Sequence, residues 1–285
     1  MQPLTFALLT PSYRGDFERC QFLCESVSRF VKPPYRHYLI IDKRDAAMFS
    51  HLRGPCTELV TVESVLPWWI MRLPFARRWW LSLKTPPIRN WILQQLLKLS
   101  SPHYTSEDVL VFVDSDVAFV RPLDLQSLVR DGKVRLFDVP GEGNYGEHHA
   151  YNRVAGRLLG LPPSDYYGSK YIGNVITWRR ENVLKLHEHL TEKWKRPWVN
   201  TIPWQLTLSE YVLYGVFNNY LLKEDSGHYS DPQKICHEYW TAASLSQEKL
   251  AEFLGKIEPQ HVSVMISAKA RMPVNSYAQL LKDIR

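Results

Sequence analysis

"VLVFVDSDVAFV", residues 109–120, is an almost unbroken apolar run interrupted by two carboxylates, Asp114 and Asp116, with one serine between them. Its β-branched content predicts a strand buried on both faces. Unpaired charge at the end of such a strand is costly, so something positive must sit beside it. The flanking segments point to the same architecture. "LTFALLTPSYRGD" (4–16) reads as a strand over Leu4 to Leu9 that breaks at Thr10-Pro11 into a polar turn, with Asp16 placed to cap a helix running to about Phe30. "HYLIID" (37–42) is a second strand ending on a carboxylate, and "ELVTVESV" (58–65) a third. Strands alternating with helices predict an α/β fold, with a mostly parallel central sheet flanked by helices and ligands at the carboxyl edge of its strands. Thr10, Pro11, Ser12, Tyr13, Asp42 and Asp114 all fall at that edge.

Further along, "IRNWILQQLLKLS" (88–100) is a helix with Leu93, Leu96, Leu97 and Ser100 on one face and Trp91, Gln94, Gln95 and Lys98 on another. "KVRLFDV" (133–139) and "YIGNVITW" (171–178) read as strands, with a glycine-rich loop and a helix over Tyr151 to Leu159 between them. "RRENVLKLHEHLTEKW" (179–194) is a helix, and "LTLSEYVLYGVFNNYL" (206–221) another that stops near Gly215 or Asn218. No internal repeat or linker divides the chain, so one domain over 1–285 is expected, interrupted by an unusual insertion at about 66–87.

With 45% hydrophobic and 22% charged residues the composition is globular, and 285 residues suffice to bury a large core. Lys and Arg exceed Asp and Glu by 35 − 29 = 6, which suits an anionic substrate or surface. The basic residues concentrate with Trp and Leu in one segment instead of along polar helices, which argues against nucleic acid as the partner. Cys20, Cys24, Cys56 and Cys236 form no C-x-x-C pair, which favours reduced thiols in a cytosol. No secretory h-region opens the chain, and no apolar stretch approaches the ~20 residues of a membrane-spanning helix. The expected location is cytoplasmic, with peripheral attachment to the inner face of a membrane as an option.

Where the strand at 109–113 ends and turns, Asp114 and Asp116 can converge on one ion. Hard carboxylate oxygens suit Mg²⁺ or Mn²⁺, which share their remaining positions between water and substrate phosphates. The competing reading is a solvated turn in which Asp116 caps the next element. A phosphohydrolase would carry Thr or Val two residues past the second Asp, where this chain has Ala118, so that chemistry is set aside.

Taken in order, "LLTPSY", "WILQQLLKL", "VFVDSD" and "LSEYVLYG" resemble nucleotide-sugar-dependent glycosyltransferases of the GT-A fold, and in particular the bacterial family DUF6492. The resemblance spans about Leu4 to Trp240. It implies that Thr10, Pro11, Ser12, Tyr13 and Asp42 surround the nucleotide base and ribose. It makes Asp116 a metal ligand, with Asp114 shared between the metal and the donor. The bound ion would neutralise a diphosphate leaving group as a Lewis acid. Gln94, Gln95 and Lys98 fit the same donor site, Lys98 by delivering positive charge to a phosphate. Glu210 is the expected catalytic base of an inverting transfer, with Tyr211 and Tyr214 as aromatic surface for the acceptor sugar. The alternative for this stretch is a helix start capped by Ser209 or Thr207. Members of this fold often add a metal-ligating histidine from the C-terminal part of the chain, for which His237 is the first choice and His261 the second.

The implied reaction moves a sugar from a nucleotide donor, expected to be UDP-linked, to a glycan or lipid-linked glycan acceptor in envelope or surface polysaccharide synthesis. The rival is a catalytically silent GT-A domain serving as a carbohydrate-binding or scaffolding module. Neither explains "LPWWIMRLPFARRWWLSLKTPP" (66–87), which has four Trp, four Arg or Lys and no acid. Trp with Arg and Lys is the composition of an interfacial segment on an anionic membrane surface, and equally of an insertion packed on the domain through burial and cation–π contacts.

Overall fold

The computed structural model describes residues 3–73 and 79–284. Phe6–Pro11 (β1), Arg36–Ile41 (β2) and Thr57–Thr61 (β3) pair in parallel, with the helix Phe17–Phe30 (α1) crossing between the first two. Ile70–Arg72 (β4), Trp79–Ser82 (β5) and Ile88–Arg89 (β6) make a small antiparallel sheet that leads into the helix Asn90–Leu99 (α2). Val109–Phe112 (β7) then enters the central sheet beside β1, and Val117–Phe119 (β8) leaves it. The second half contributes Lys133–Phe137 (β9), Glu147–Leu159 (α3), Ile176–Arg179 (β10), Arg180–Trp194 (α4) and Glu210–Phe217 (α5). It closes with His228–Asp231 (β11), Cys236–Tyr239 (β12), Gln247–Leu254 (α6) and Ser263–Ile266 (β13).

The central sheet is mixed, in the order β10-β7-β1-β2-β3, with β10 antiparallel to β7 and the other pairs parallel. Strand alternation divides its core in two. Ala7, Leu9, Leu110 and Phe112 face a layer built from α2, α3, α4 and α5, and Phe6, Leu8, Val109 and Val111 face Leu23 and Val27 of α1. A second sheet, β12-β13-β8, stands where β7 ends, so Asp114 and Asp116 lie in the connection between the two sheets.

Several elements differ from the sequence reading. Asp16 makes no capping hydrogen bond and pairs instead with Arg19 at 3.3 Å. The third strand stops at Thr61, and the chain turns to bury Val62. The stretch 171–178 becomes a strand only at Ile176, because Val175 sits at φ 57°, a left-handed conformation that breaks extended pairing. The helix in 206–221, by contrast, is capped by Ser209, which accepts the Val212 N–H at 3.4 Å, and ends at Phe217, at the stop expected near Gly215 or Asn218.

The tryptophans of 66–87 divide between core and surface, Trp79 and Trp80 by alternation along β5 and Trp68 and Trp69 in the turn that precedes β4. Trp69 and Trp80 are buried with Ile70, Ile88 and Ile92, while Trp68 and Trp79 are exposed. Arg72 turns inward to Asp42, at 2.8 Å. Arg77 and Arg78 lie outside the described residues. Trp80, only 1% exposed, anchors the small sheet to α2, so Trp80→Ala is expected to cost ~3–5 kcal/mol in urea unfolding. Trp68→Ala should change stability by less than ~0.5 kcal/mol. Among the described residues no helix is long and apolar enough to cross a membrane.

Candidate functional site

The positive partner demanded by the acidic strand end is Lys98. Its Nζ lies 3.3 Å from Asp114 Oδ1 and 3.1 Å from Glu210 Oε1, and donates to the Tyr211 hydroxyl at 2.8 Å. The face of α2 that reads as polar is covered by the first turn of α5, leaving Lys98 4% and Glu210 3% exposed. Gln95 ties the two helices together: its amide donates to Trp91 O at 3.1 Å, and its Oε1 accepts the Glu210 N–H at 3.1 Å. Gln94 is half-buried on the same helix. Burial alone would depress the Lys98 pKa, but Asp114, Tyr211 and Glu210 outweigh it and hold the ammonium well above the ordinary lysine value. Burial raises Glu210 above the usual carboxylate range, against the pull of Lys98.

Among the described residues, Asp116 has no such cation. Its Oδ2 accepts the Ala268 N–H at 2.8 Å, and burial followed by the neighbouring Asp114 pushes its pKa up to about 7. The folded protein therefore holds this proton more tightly than the unfolded chain, whose carboxyl titrates near 3.8. Stability contributed by the protonated form is present at about pH 4 and lost as pH rises to about 7. Melting temperatures across this window should fall for the wild type, and Asp116→Asn should flatten the slope. A flat wild-type profile would remove Asp116 from the account.

Two carboxylates whose repulsion helps to raise one of them fit a divalent cation that takes two protein oxygens and fills its shell from water and phosphate. Among the described residues no group of three or more His, Cys, Asp or Glu could hold a metal. His237 does not supply a third ligand. Its Nε2 lies 2.9 Å from Phe253 O and its ring stacks on Phe253, so alternation along β12 turns it to the α6 side. His261 packs against His237 and accepts the Glu258 N–H at 2.9 Å.

The next residue along β12, Glu238, is the functional candidate that sequence reasoning missed. Asn174 bridges it to the acidic turn, accepting the Asp114 N–H at 3.4 Å and donating to Glu238 Oε1 at 3.2 Å. The Trp240 indole donates to Oε2 at 3.0 Å, and burial raises the Glu238 pKa. Val175, held in its left-handed conformation, follows Asn174 directly, and backbone strain of this kind clusters at functional sites. The Gly-Asn pair inside "YIGNVITW" was the available signal for this break.

The residues expected around the nucleotide separate into two groups. Thr10 is fully buried, with Oγ1 3.0 Å from His37 Nε2, and Asp42 is taken by the backbone and guanidinium of Arg44 and by Arg72. Neither side chain is free for a ligand. Pro11 and Ser12 are half-buried, Tyr13 is exposed, and Ser12 Oγ is buried without a partner. Tyr211 and Tyr214 are also buried, Tyr211 on Lys98 and Tyr214 stacked on Trp178 with its hydroxyl 2.7 Å from His228 Nε2, so neither offers a face to a sugar. An open cleft of about 520 Å³ lies between the turn after β1 and the segment 268–274, lined by Tyr13, Asp16, Arg19, Ala268, Lys269 and Arg271. Ala268, whose N–H reaches Asp116, joins this cleft to the acidic pair. A methyl group on Gly15 would overlap the Tyr13 ring, so only glycine lets the ring lie where it does.

No curated protein is similar enough to the chain to name a relative. The family model of unknown function DUF6492 matches residues 4–284, nearly the whole fold including the acidic turn and the cleft. The chain belongs to the DUF6492 family.

Proposed function

We propose that this protein is a metal-dependent glycosyltransferase of the GT-A fold, taking a sugar from a UDP-linked or related nucleotide donor to a hydroxyl of a glycan or lipid-linked acceptor. The observation that carries the reading is the cleft lined by Arg19, Lys269 and Arg271 together with Asp16 and Glu18, which opens beside the neighbouring carboxylates Asp114 and Asp116 at the carboxyl edge of an α/β sheet. Tyr13 presents an exposed ring for a nucleotide base, and Arg19, Lys269 and Arg271 present charge for phosphates. Arg19 Nε is buried without a hydrogen-bond partner, and a bound anion would supply one.

Asp114 and Asp116 would hold Mn²⁺ or Mg²⁺, which when bound neutralises the diphosphate leaving group. Lys98 pairs with Asp114 and fixes its direction. Glu210, buried behind Lys98, acts as a positioning residue for that lysine, and the base that takes the acceptor proton is assigned to Glu238. Burial raises its pKa towards the working range of a general base. Glu238→Gln is expected to lower turnover by ~10²-fold or more with donor affinity unchanged. Near-normal turnover in Glu238→Gln would return that carboxylate to a structural role.

The reading is tested by thermal shift with a panel of nucleotide sugars, with and without Mn²⁺, since a ligand of the native state raises its melting temperature. At least one nucleotide sugar should stabilise the protein, and only with the metal. Equal stabilisation by free sugars without nucleotide would favour a carbohydrate-binding module instead.

A further inference from the structure

The small sheet β4-β5-β6 buries one face on α2 and leaves the other covered by nothing among the described residues. Trp68 is 77% exposed, and Met71, Leu73, Trp79 and Leu83 stand out beside it. Exposed apolar residues scattered singly are ordinary, but five within sixteen positions of a folded chain mark an interaction surface. The patch continues at its border, where the exposed Trp91 donates its indole N–H to Leu208 O at 3.0 Å beside the exposed Leu206.

Charge identifies the partner. The stretch 66–87 contains no acid, and two cations of the small sheet and its loop are arranged with the indoles: Lys84 lies 5.5 Å above the Trp69 ring, and Arg89 of β6 5.0 Å above Trp79. Neither Lys84 nor Arg89 forms an ion pair among the described residues, whereas Arg72 of the same sheet is committed to Asp42. The cations left over need an anionic partner, and the indoles need one that is apolar below its charged surface. Both demands are met by the interface of a bilayer, where indoles settle at headgroup depth and cations meet anionic lipid.

We propose that the outward face of β4-β5-β6 is a docking surface for an anionic lipid bilayer. β4 carries Met71 on this face and its neighbour Arg72 inward to Asp42, at the carboxyl edge of the central sheet. Docking therefore brings the edge that holds the proposed site next to the membrane, which selects lipid-linked acceptors over soluble ones. Only this last step rests on the transferase reading.

The test uses the intact protein and co-sedimentation with vesicles of phosphatidylglycerol and phosphatidylcholine, compared with phosphatidylcholine alone. The protein should sediment with the anionic vesicles at low salt and be released at high salt. Lys84→Gln/Arg89→Gln should lower partition by ~10-fold or more, as expected when each cation contributes ~1 kcal/mol. Trp68→Ser/Leu83→Ser should also abolish binding, with an unchanged melting temperature showing that the fold is intact. Failure to sediment with anionic vesicles at low salt overturns the proposal. So does a concentration-dependent dimer that Trp68→Ser dissociates, which would assign the face to a second copy of the chain. Vesicle binding is read without any sugar donor, so its failure and a failure of the transferase reading are told apart.

Discussion

Lys98→Met should lower the stability of the protein by ~3–5 kcal/mol, because it leaves Glu210 buried without its cation and removes the partner of Asp114. The substitution keeps the length and apolar stem of the side chain, so cavity formation contributes little. Most of the cost falls on Glu210, since Asp114 retains partial contact with water. Lys98→Met/Glu210→Met should therefore recover most of the loss, as buried ion pairs replaced together by apolar residues commonly do. Urea unfolding of the single and double variants provides the check. A single variant as stable as the wild type would mean that the Lys98–Glu210 pair is not closed in solution.

Asp116→Asn should weaken divalent-dependent donor binding by ~100-fold or more, since the amide keeps the shape but withdraws the charge that a hard cation requires. The fold should survive, because burial already disfavours the ionised form of this carboxyl. The variant should even be more stable than the wild type above about pH 7, where the native carboxylate is forced to ionise. Calorimetric titration of a nucleoside diphosphate in Mn²⁺ measures the first effect and thermal melting the second. Unchanged affinity would remove Asp116 from the metal assignment. These two variants separate the acidic turn into a half that is neutralised by the protein and a half that is left for a ligand.

The central strand was legible because an apolar run closed by carboxylates has few alternatives, and β1 and β2 followed from the same pattern, although β1 runs Phe6–Pro11, through the Thr10-Pro11 pair where a break was expected. What the run could not tell was the source of the compensating charge. Periodicity grouped Trp91, Gln94, Gln95 and Lys98 on one face of α2, but it does not reveal what covers a face: Gln95 and Lys98 are buried against the start of α5, while Trp91 stays exposed. The same limit applies to Tyr211 and Tyr214, whose helix is buried all round. His237 was chosen for its residue type, whereas strand alternation directs Glu238, one position on, to the acidic turn. Asn174 was hidden inside an apparent strand because the apolar run around it outweighed the Gly173-Asn174 break signal that precedes the left-handed Val175. For the Trp-rich insertion, composition allowed packing or exposure, and the insertion takes both: Trp69 and Trp80 are buried while Trp68 and Trp79 are exposed.

If the acidic turn and the adjoining cleft activate a nucleotide sugar, the intact protein should release nucleoside diphosphate from at least one of a panel of nucleotide sugars in Mn²⁺. That release should be lost both in chelator and in Asp116→Asn. Release from none of them, or release that chelator and Asp116→Asn leave unchanged, would contradict this reading.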